Sequence, residues 1–318
     1  MPLEPNLFKK LLHRREAGIF FALVGLVILI SCFQPNFINP GNLFLVSRQI
    51  ALTAIIALGV LFVILTGGID LSVGSNVGLS GFLCGLAMAA GLHPLLAIVV
   101  GLFTGAIVGA VNGAIVAFVG VTPFIVTLGM LGVARGAVLV IKHGDSVREI
   151  SKGFIAFGNG SVFGISVPVI VLAIIAIESY LILGRSIFGR RVFAIGGNER
   201  AAALSGINTR LVKFMTYVLS GLFSAITGIL FVARFQSAQA DAGKGMELDA
   251  IAAAVIGGTS LMGGEGSVAG VLLGAIIMGV IRNGLVLMQV SSYWQELIIG
   301  TIIVLAAILD VIRSRKRP

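Results

Sequence analysis

Long apolar runs, separated by short polar or glycine-rich breaks, set the pattern of this chain. They fall at about 17–33, 46–66, 73–91, 95–118, 123–141, 167–183, 212–235, 268–288 and 293–311. Runs of this length cross a bilayer as helices. One further apolar stretch, Ile251–Met262, holds only about a dozen residues and ends in a glycine cluster. That is short for a full crossing, which leaves a re-entrant, broken or deeply packed segment as its readings. Counted with it, the pattern predicts about ten spans in an all-α polytopic membrane protein, with a single transmembrane domain over 1–318 and a short or re-entrant segment near 250–263. The first run follows Lys9, Lys10, Arg14 and Arg15 as a signal peptide would. It is longer than an h-region and no A-x-A-like site precedes Pro35, so a retained span is expected.

The main polar interruptions lie at 142–166 and 185–213. Within the second, Gly189–Ile207 carries the pattern of a short helix. Asn198 suits an N-cap, Glu199 the first turn, and Ala201, Ala202, Ala203 and Leu204 the helix body, with Gly206 as the residue that ends it. Such a helix has about seven residues and a length of roughly 10 Å. It cannot stabilise itself in water and needs a surface to dock on.

Glycines at 101, 105, 109 and 113 form three overlapping G-x-x-x-G units. They lay a smooth stripe along one helix face, where a second helix can approach closely. A weaker internal similarity links GGIDLSVGS at 67–75 with GGTSLMGGEGS at 257–267. Each lies at a junction of apolar runs, and interrupted segments in corresponding halves point to a transport site.

Composition agrees with a membrane protein: 58% of residues are hydrophobic and 11% charged. The net charge of +9 would suggest nucleic acid in a soluble protein. Here its distribution explains it better. Fourteen of the 22 Lys and Arg lie in the N-terminal segment, in 185–213 and in the C-terminal tail. The positive-inside rule then puts both termini and the 185–213 segment in the cytoplasm, with no nucleic-acid partner. Cys32 and Cys84 lie in apolar runs and read as buried small hydrophobes.

Covalent chemistry is not indicated. No G-x-x-x-x-G-K-[ST], H-E-x-x-H or C-x-x-C occurs, and the three histidines are scattered. Gly264–Ala269 formally matches G-x-G-x-x-A, but no soluble βαβ unit surrounds it. No catalytic, metal or cofactor residue is expected. Energy for transport would come from an ion gradient or from another chain.

Several stretches together resemble the membrane subunits of bacterial ABC sugar importers. They are TGGIDLSVGS at 66–75, VNG at 111–113, TPFIVTLGM at 122–130, Gly189–Ile207 and DAIAAAVIGGTSLMGGEGSVAGVLLGA at 249–275. The nearest group serves ribose, xylose, arabinose, galactose and related polyols. The resemblance implies a permease in the bacterial inner membrane that pairs with a second copy or a paralogue. It further implies a cytoplasmic ATPase that carries the ATP and a periplasmic sugar-binding protein. The 185–213 segment would be the coupling loop, with Asn198, Glu199, Ala201, Ala202, Leu204 and Gly206 inserted against the ATPase. Arg200 interrupts the family's Glu-Ala-Ala order here. The flanking cations suit acidic ATPase residues or anionic lipid.

Candidate path or gate residues are uncharged or lie at breaks. Asp70 sits in the first break, as a gate or as a group that caps the next helix together with Ser72. Asn76, Asn112, Thr122, Thr127, Thr259, Asn283 and Gln289 offer sugar-matching donors and acceptors, with helix-packing hydrogen bonds as the competing use. Arg48, Arg135, Glu178 and Arg282 should face the interior, pair or snorkel. Other classes stay open: an ion-driven secondary transporter, a passive permease half, or an ABC permease for branched-chain amino acids or nucleosides.

Overall fold

The computed structural model describes residues 15–315. The basic residues Lys9, Lys10, Arg14, Lys316 and Arg317 lie outside them. Among the described residues the helices in chain order are α1 Arg15–Phe33, α2 Pro40–Leu65, α3 Val73–Ala89, α4 Pro94–Ala114, α5 Pro123–Lys142, α6 Lys152–Asn159, α7 Val167–Arg185, α8 Ile187–Gly197, α9 Glu199–Leu204, α10 Thr209–Phe235, α11 Met246–Ile256, α12 Val268–Leu287 and α13 Ser292–Arg315. Prolines in the first turn open α2, α4, α5 and α7, where the missing N–H leaves no orphan donor.

Among the described residues, seven helices are long and apolar enough to cross a membrane, and two shorter apolar ones, Val73–Ala89 and Ser292–Ile308, accompany them. With α11 this makes ten apolar segments in an all-α polytopic bundle. Two helices form its centre, α2 and α10, the most buried of the long apolar helices. α10 packs on α2, α3 and α4.

The glycine stripe of α4 explains how close that packing is. Gly105, Gly109 and Gly113 lie against the backbone of Phe214–Ala225 on α10, and Gly101 against Ser80 and Cys84 on α3. A Cβ at Gly109 would overlap the Tyr217 carbonyl oxygen, so the two backbones touch directly.

Two helices are half-length and begin inside the bundle. Asn76, in the first turn of α3, donates its Nδ2 to the Gly221 carbonyl at 3.2 Å, and Gly221 is near the middle of α10. α3 runs from there to the end of the bundle that holds the C-terminus of α10, with Gly85 against Val232 and Ala238. α11 lies antiparallel to α12, with Gly257 on Gly270 and Ala253 on Gly274. Its first turn meets α3, where a Cβ on Gly74 would overlap the Glu247 carboxylate. The two half-helices therefore start together at mid-height and run to opposite ends. The 250–263 region is one half of a broken span whose other half is the non-helical segment 237–245.

The polar interruptions hold more structure than their composition shows. The 142–166 segment contains α6 and a two-residue hairpin, Ser161–Val162 paired with Ile165–Ser166. α6 docks through Gly158, which lies on Ala233 of α10, and an eight-residue helix carries too few turns for its period to be read. Gly189–Ile207 forms two helices rather than one. α8 buries Gly189, Val192 and Ile195 on one face, a spacing hidden behind Arg190, Arg191 and the glycines. Cys84 is buried but Cys32, read as buried, is exposed, because α1 is largely uncovered by the rest of the bundle.

Candidate functional site

At the α10 N-terminal end of the bundle stands α9, a six-residue helix. Asn198 caps it, with Oδ1 accepting from the Ala201 N–H at 2.9 Å. At the other end the Gly206 N–H donates to the Ala203 carbonyl at 3.0 Å and the Ile207 N–H to Ala202 at 3.1 Å. This Schellman closure requires the left-handed φ of 82° at Gly206. Ala202 is the buried contact of the helix, whereas Leu204 is 90% exposed. Glu199 accepts from Lys213 Nζ at 2.6 Å, an ion pair that ties α9 to α10. Arg190, Arg191, Arg200 and Arg210 are exposed around it. The result is a protruding leucine in a cationic field.

α8 connects this surface to both breaks. A Cβ on Gly196 would overlap the Leu65 carbonyl oxygen at the end of α2 and the Gly264 amide in the break before α12. Gly264 itself donates its N–H to that Leu65 carbonyl at 3.0 Å. Gly263 lies on Gly67, so the two similar glycine-rich stretches meet backbone to backbone. Gly67, Gly263 and Gly264 all have left-handed φ. Three chain segments thus abut without intervening side chains.

Further inside lies a polar cluster. Asp70, 2% exposed, accepts through Oδ1 from the Ser72 N–H at 3.0 Å and the Ser72 hydroxyl at 2.6 Å. Its Oδ2 accepts from the Ser220 hydroxyl of α10 at 2.8 Å. Asn112 donates Nδ2 to Ser72 Oγ at 2.8 Å, and Thr127 donates to the Ile69 carbonyl at 3.2 Å. Asp70, Asn76, Asn112 and Thr127 therefore come together and join the first break to α4, α5 and α10. The Tyr217 hydroxyl and Asn112 Oδ1 are buried there without a hydrogen-bond partner. Ser220 and Tyr217 were not legible as members, since nothing in an apolar helix marks a lone hydroxyl that faces a break.

The other candidates lie elsewhere. Thr122 is exposed at the start of α5 and makes no side-chain cap bond. Thr259 is buried in the second break with its hydroxyl unpartnered. Asn283 exchanges hydrogen bonds with Asn42, each at 3.0 Å, between α12 and α2. Among the charges, Arg48 donates to Asn159 Oδ1 at 2.6 Å and Arg282 grips both oxygens of Asp249 at 2.7 Å. Glu178 lies on the exposed face of α7, not in the interior. No group of three His, Cys, Asp or Glu among the described residues could hold a metal ion.

The family described as branched-chain amino acid transport system / permease component matches residues 42–307. The chain is 44% identical over 298 residues to the ribose import permease protein of Bacillus subtilis, covering 93% of this chain and 92% of the relative. It is 39% identical to the D-allose transport system permease protein of Escherichia coli, covering 94% and 92%. It is 34% identical to the L-arabinose ABC transporter permease protein of Azospirillum brasilense, covering 95% and 89%. No solved structure matches.

Proposed function

The chain belongs to the family of branched-chain amino acid transport system permease components, and from that premise we propose that it is the membrane subunit of an ABC importer for a small sugar. The family's description names amino acids, but the relatives cited carry the names ribose, D-allose and L-arabinose, at 34–44% identity over nearly full length. That favours a pentose, a hexose or a related polyol over an amino acid or a nucleoside.

One observation carries the mechanism: α9 is exposed and rigidly capped, and α8 joins it to both breaks through Gly196. In this reading 185–213 is the coupling loop of a single transmembrane domain and faces the cytoplasm, with both termini on the same side. A cytoplasmic ATPase receives Leu204 and the surrounding cations. Binding and hydrolysis of ATP on that partner move α8 and α9, and the breaks move with them. The cluster of Asp70, Ser72, Asn112 and Ser220 acts as an inner gate, closed in the arrangement described. A periplasmic binding protein delivers sugar at the opposite face, and a second permease chain, identical or paralogous, completes the passage. Sugar then crosses by alternating access.

Reconstitution in proteoliposomes with candidate ATPase and binding-protein subunits tests this. The expected result is sugar uptake that requires both partners and ATP. Uptake that continues without ATPase and ATP, and collapses with the proton gradient, would instead establish a secondary transporter.

A further inference from the structure

The non-helical half of the broken span, residues 237–245, has an unusual course. It starts at the outer edge of α10, where Ala238 exchanges backbone hydrogen bonds of 2.8 and 2.9 Å with Val147. It then travels down α3: Ala238 packs on Gly85, the Ala242 carbonyl on Gly78 and the Gly243 carbonyl on Gly74. From Gly85 to Gly74 is roughly 16 Å of helix, about half of a hydrocarbon core of ~30 Å. Irregular backbone at that depth persists only where protein covers it or water reaches it. Protein covers one side. Ala242 and Gly243 are buried, and Arg135 of α5 donates Nη1 to the Ala242 carbonyl at 2.7 Å and to the Ala240 carbonyl at 3.3 Å.

The other side carries opposite charges. Asp241 and Lys244 are both exposed and belong to one turn, closed by the Lys244 N–H to the Asp241 carbonyl at 3.2 Å. Lipid does not accept such groups at mid-depth, so they face water. Next to them, Glu247 Oε2 is buried in the first turn of α11 without a hydrogen-bond partner. A carboxylate can accept two hydroxyls, an ammonium can donate three hydrogen bonds, and together they are neutral. Vicinal hydroxyls on an uncharged polyol fit that set.

We propose that residues 239–244 form the wall of the passage at which the transported sugar is contacted, with Asp241 accepting from its hydroxyls and Lys244 donating to them. This rests on the sugar-import reading above and locates the contact within it.

The test uses the full transporter in proteoliposomes. In a Cys32→Ser/Cys84→Ala background, Asp241→Cys and Lys244→Cys are treated with a charged, membrane-impermeant thiol reagent. Both should react from the aqueous phase, and more slowly during turnover with sugar-loaded binding protein and ATP. Separately, Asp241→Asn should lower the sugars moved per ATP hydrolysed by about tenfold, the scale of a lost charge-assisted hydrogen bond, with partial recovery in Asp241→Glu. Cysteines that stay inert while the parent imports sugar overturn the passage wall. A normal sugar-per-ATP ratio in Asp241→Asn overturns the contact. A parent that moves no sugar, although the cysteines react, fails the import reading and overturns the sugar assignment with it.

Discussion

Replacing Ser220 by Ala is the sharpest probe of the proposed inner gate. Ser220 is fully buried, and its hydroxyl makes one bond across the bundle, to Asp70 Oδ2 at 2.8 Å. The substitution removes one oxygen and leaves the helix backbone in place. Asp70 Oδ2 then has no donor, while Oδ1 keeps both of its bonds from Ser72. A hydrogen bond of this kind contributes about 1–3 kcal/mol, so the closed arrangement should weaken by roughly five- to 150-fold relative to any state in which the break has left α10. Basal ATP hydrolysis without binding protein should rise, and sugar moved per ATP should fall. Ser224→Ala is the control, because the Ser224 hydroxyl reaches only the Ser220 carbonyl of its own helix. The measurement is ATPase rate and uptake on the same proteoliposomes, with thermal unfolding of the purified complex beside them. If Ser220→Ala lowers the unfolding temperature but leaves basal hydrolysis and coupling at the parent values, the bond is only structural and the gate reasoning fails.

Three further outcomes are expected. Gly206→Pro demands a φ near −65° where the chain has 82°, and it deletes the N–H that closes α9; membrane insertion should persist while ATP hydrolysis and uptake uncouple, and fully coupled uptake would remove the special role of this loop. Gly109→Val places a side chain into the Tyr217 carbonyl, so the solubilised protein should lose about 1–3 kcal/mol, read as a lower unfolding temperature; Gly129→Val, where nothing lies within 4 Å of a Cβ, should not. Arg282→Met strands the buried Asp249 carboxylate and should lower the unfolding temperature more than the double variant Arg282→Met/Asp249→Leu does, since removing both charges leaves none unpaired.

Local rules made part of the site legible. Asn198, the alanines and Gly206 report α9 because a cap and a Schellman turn involve residues only a few positions apart. The spacing of Gly101 to Gly113 reports a close helix contact for the same reason, though not that α10 supplies it. Asp70 stands out as an acid in a break. Its partner Ser220 does not, because 150 residues separate them and a hydroxyl in an apolar helix has many uses. The depth of the Asp241–Lys244 stretch was not legible, since a break at the membrane face and one at mid-depth have the same composition.

The sequence by itself determined that the chain is an all-α membrane protein built on long apolar segments, and it determined the short capped helix. Bilayer thickness sets the length of an apolar run, and charge records the side on which it ends. Only the tertiary structure decided which segments are central and which half-helices meet. α1 and α2 are almost equally apolar, yet α1 is largely uncovered and α2 is mostly buried. Lipid tails are as apolar as leucine, so hydropathy cannot tell a helix that faces lipid from one enclosed by protein. That distinction comes from shape: glycines that admit a neighbouring backbone, and polar atoms such as Asp70 Oδ2 whose partner lies on a distant helix.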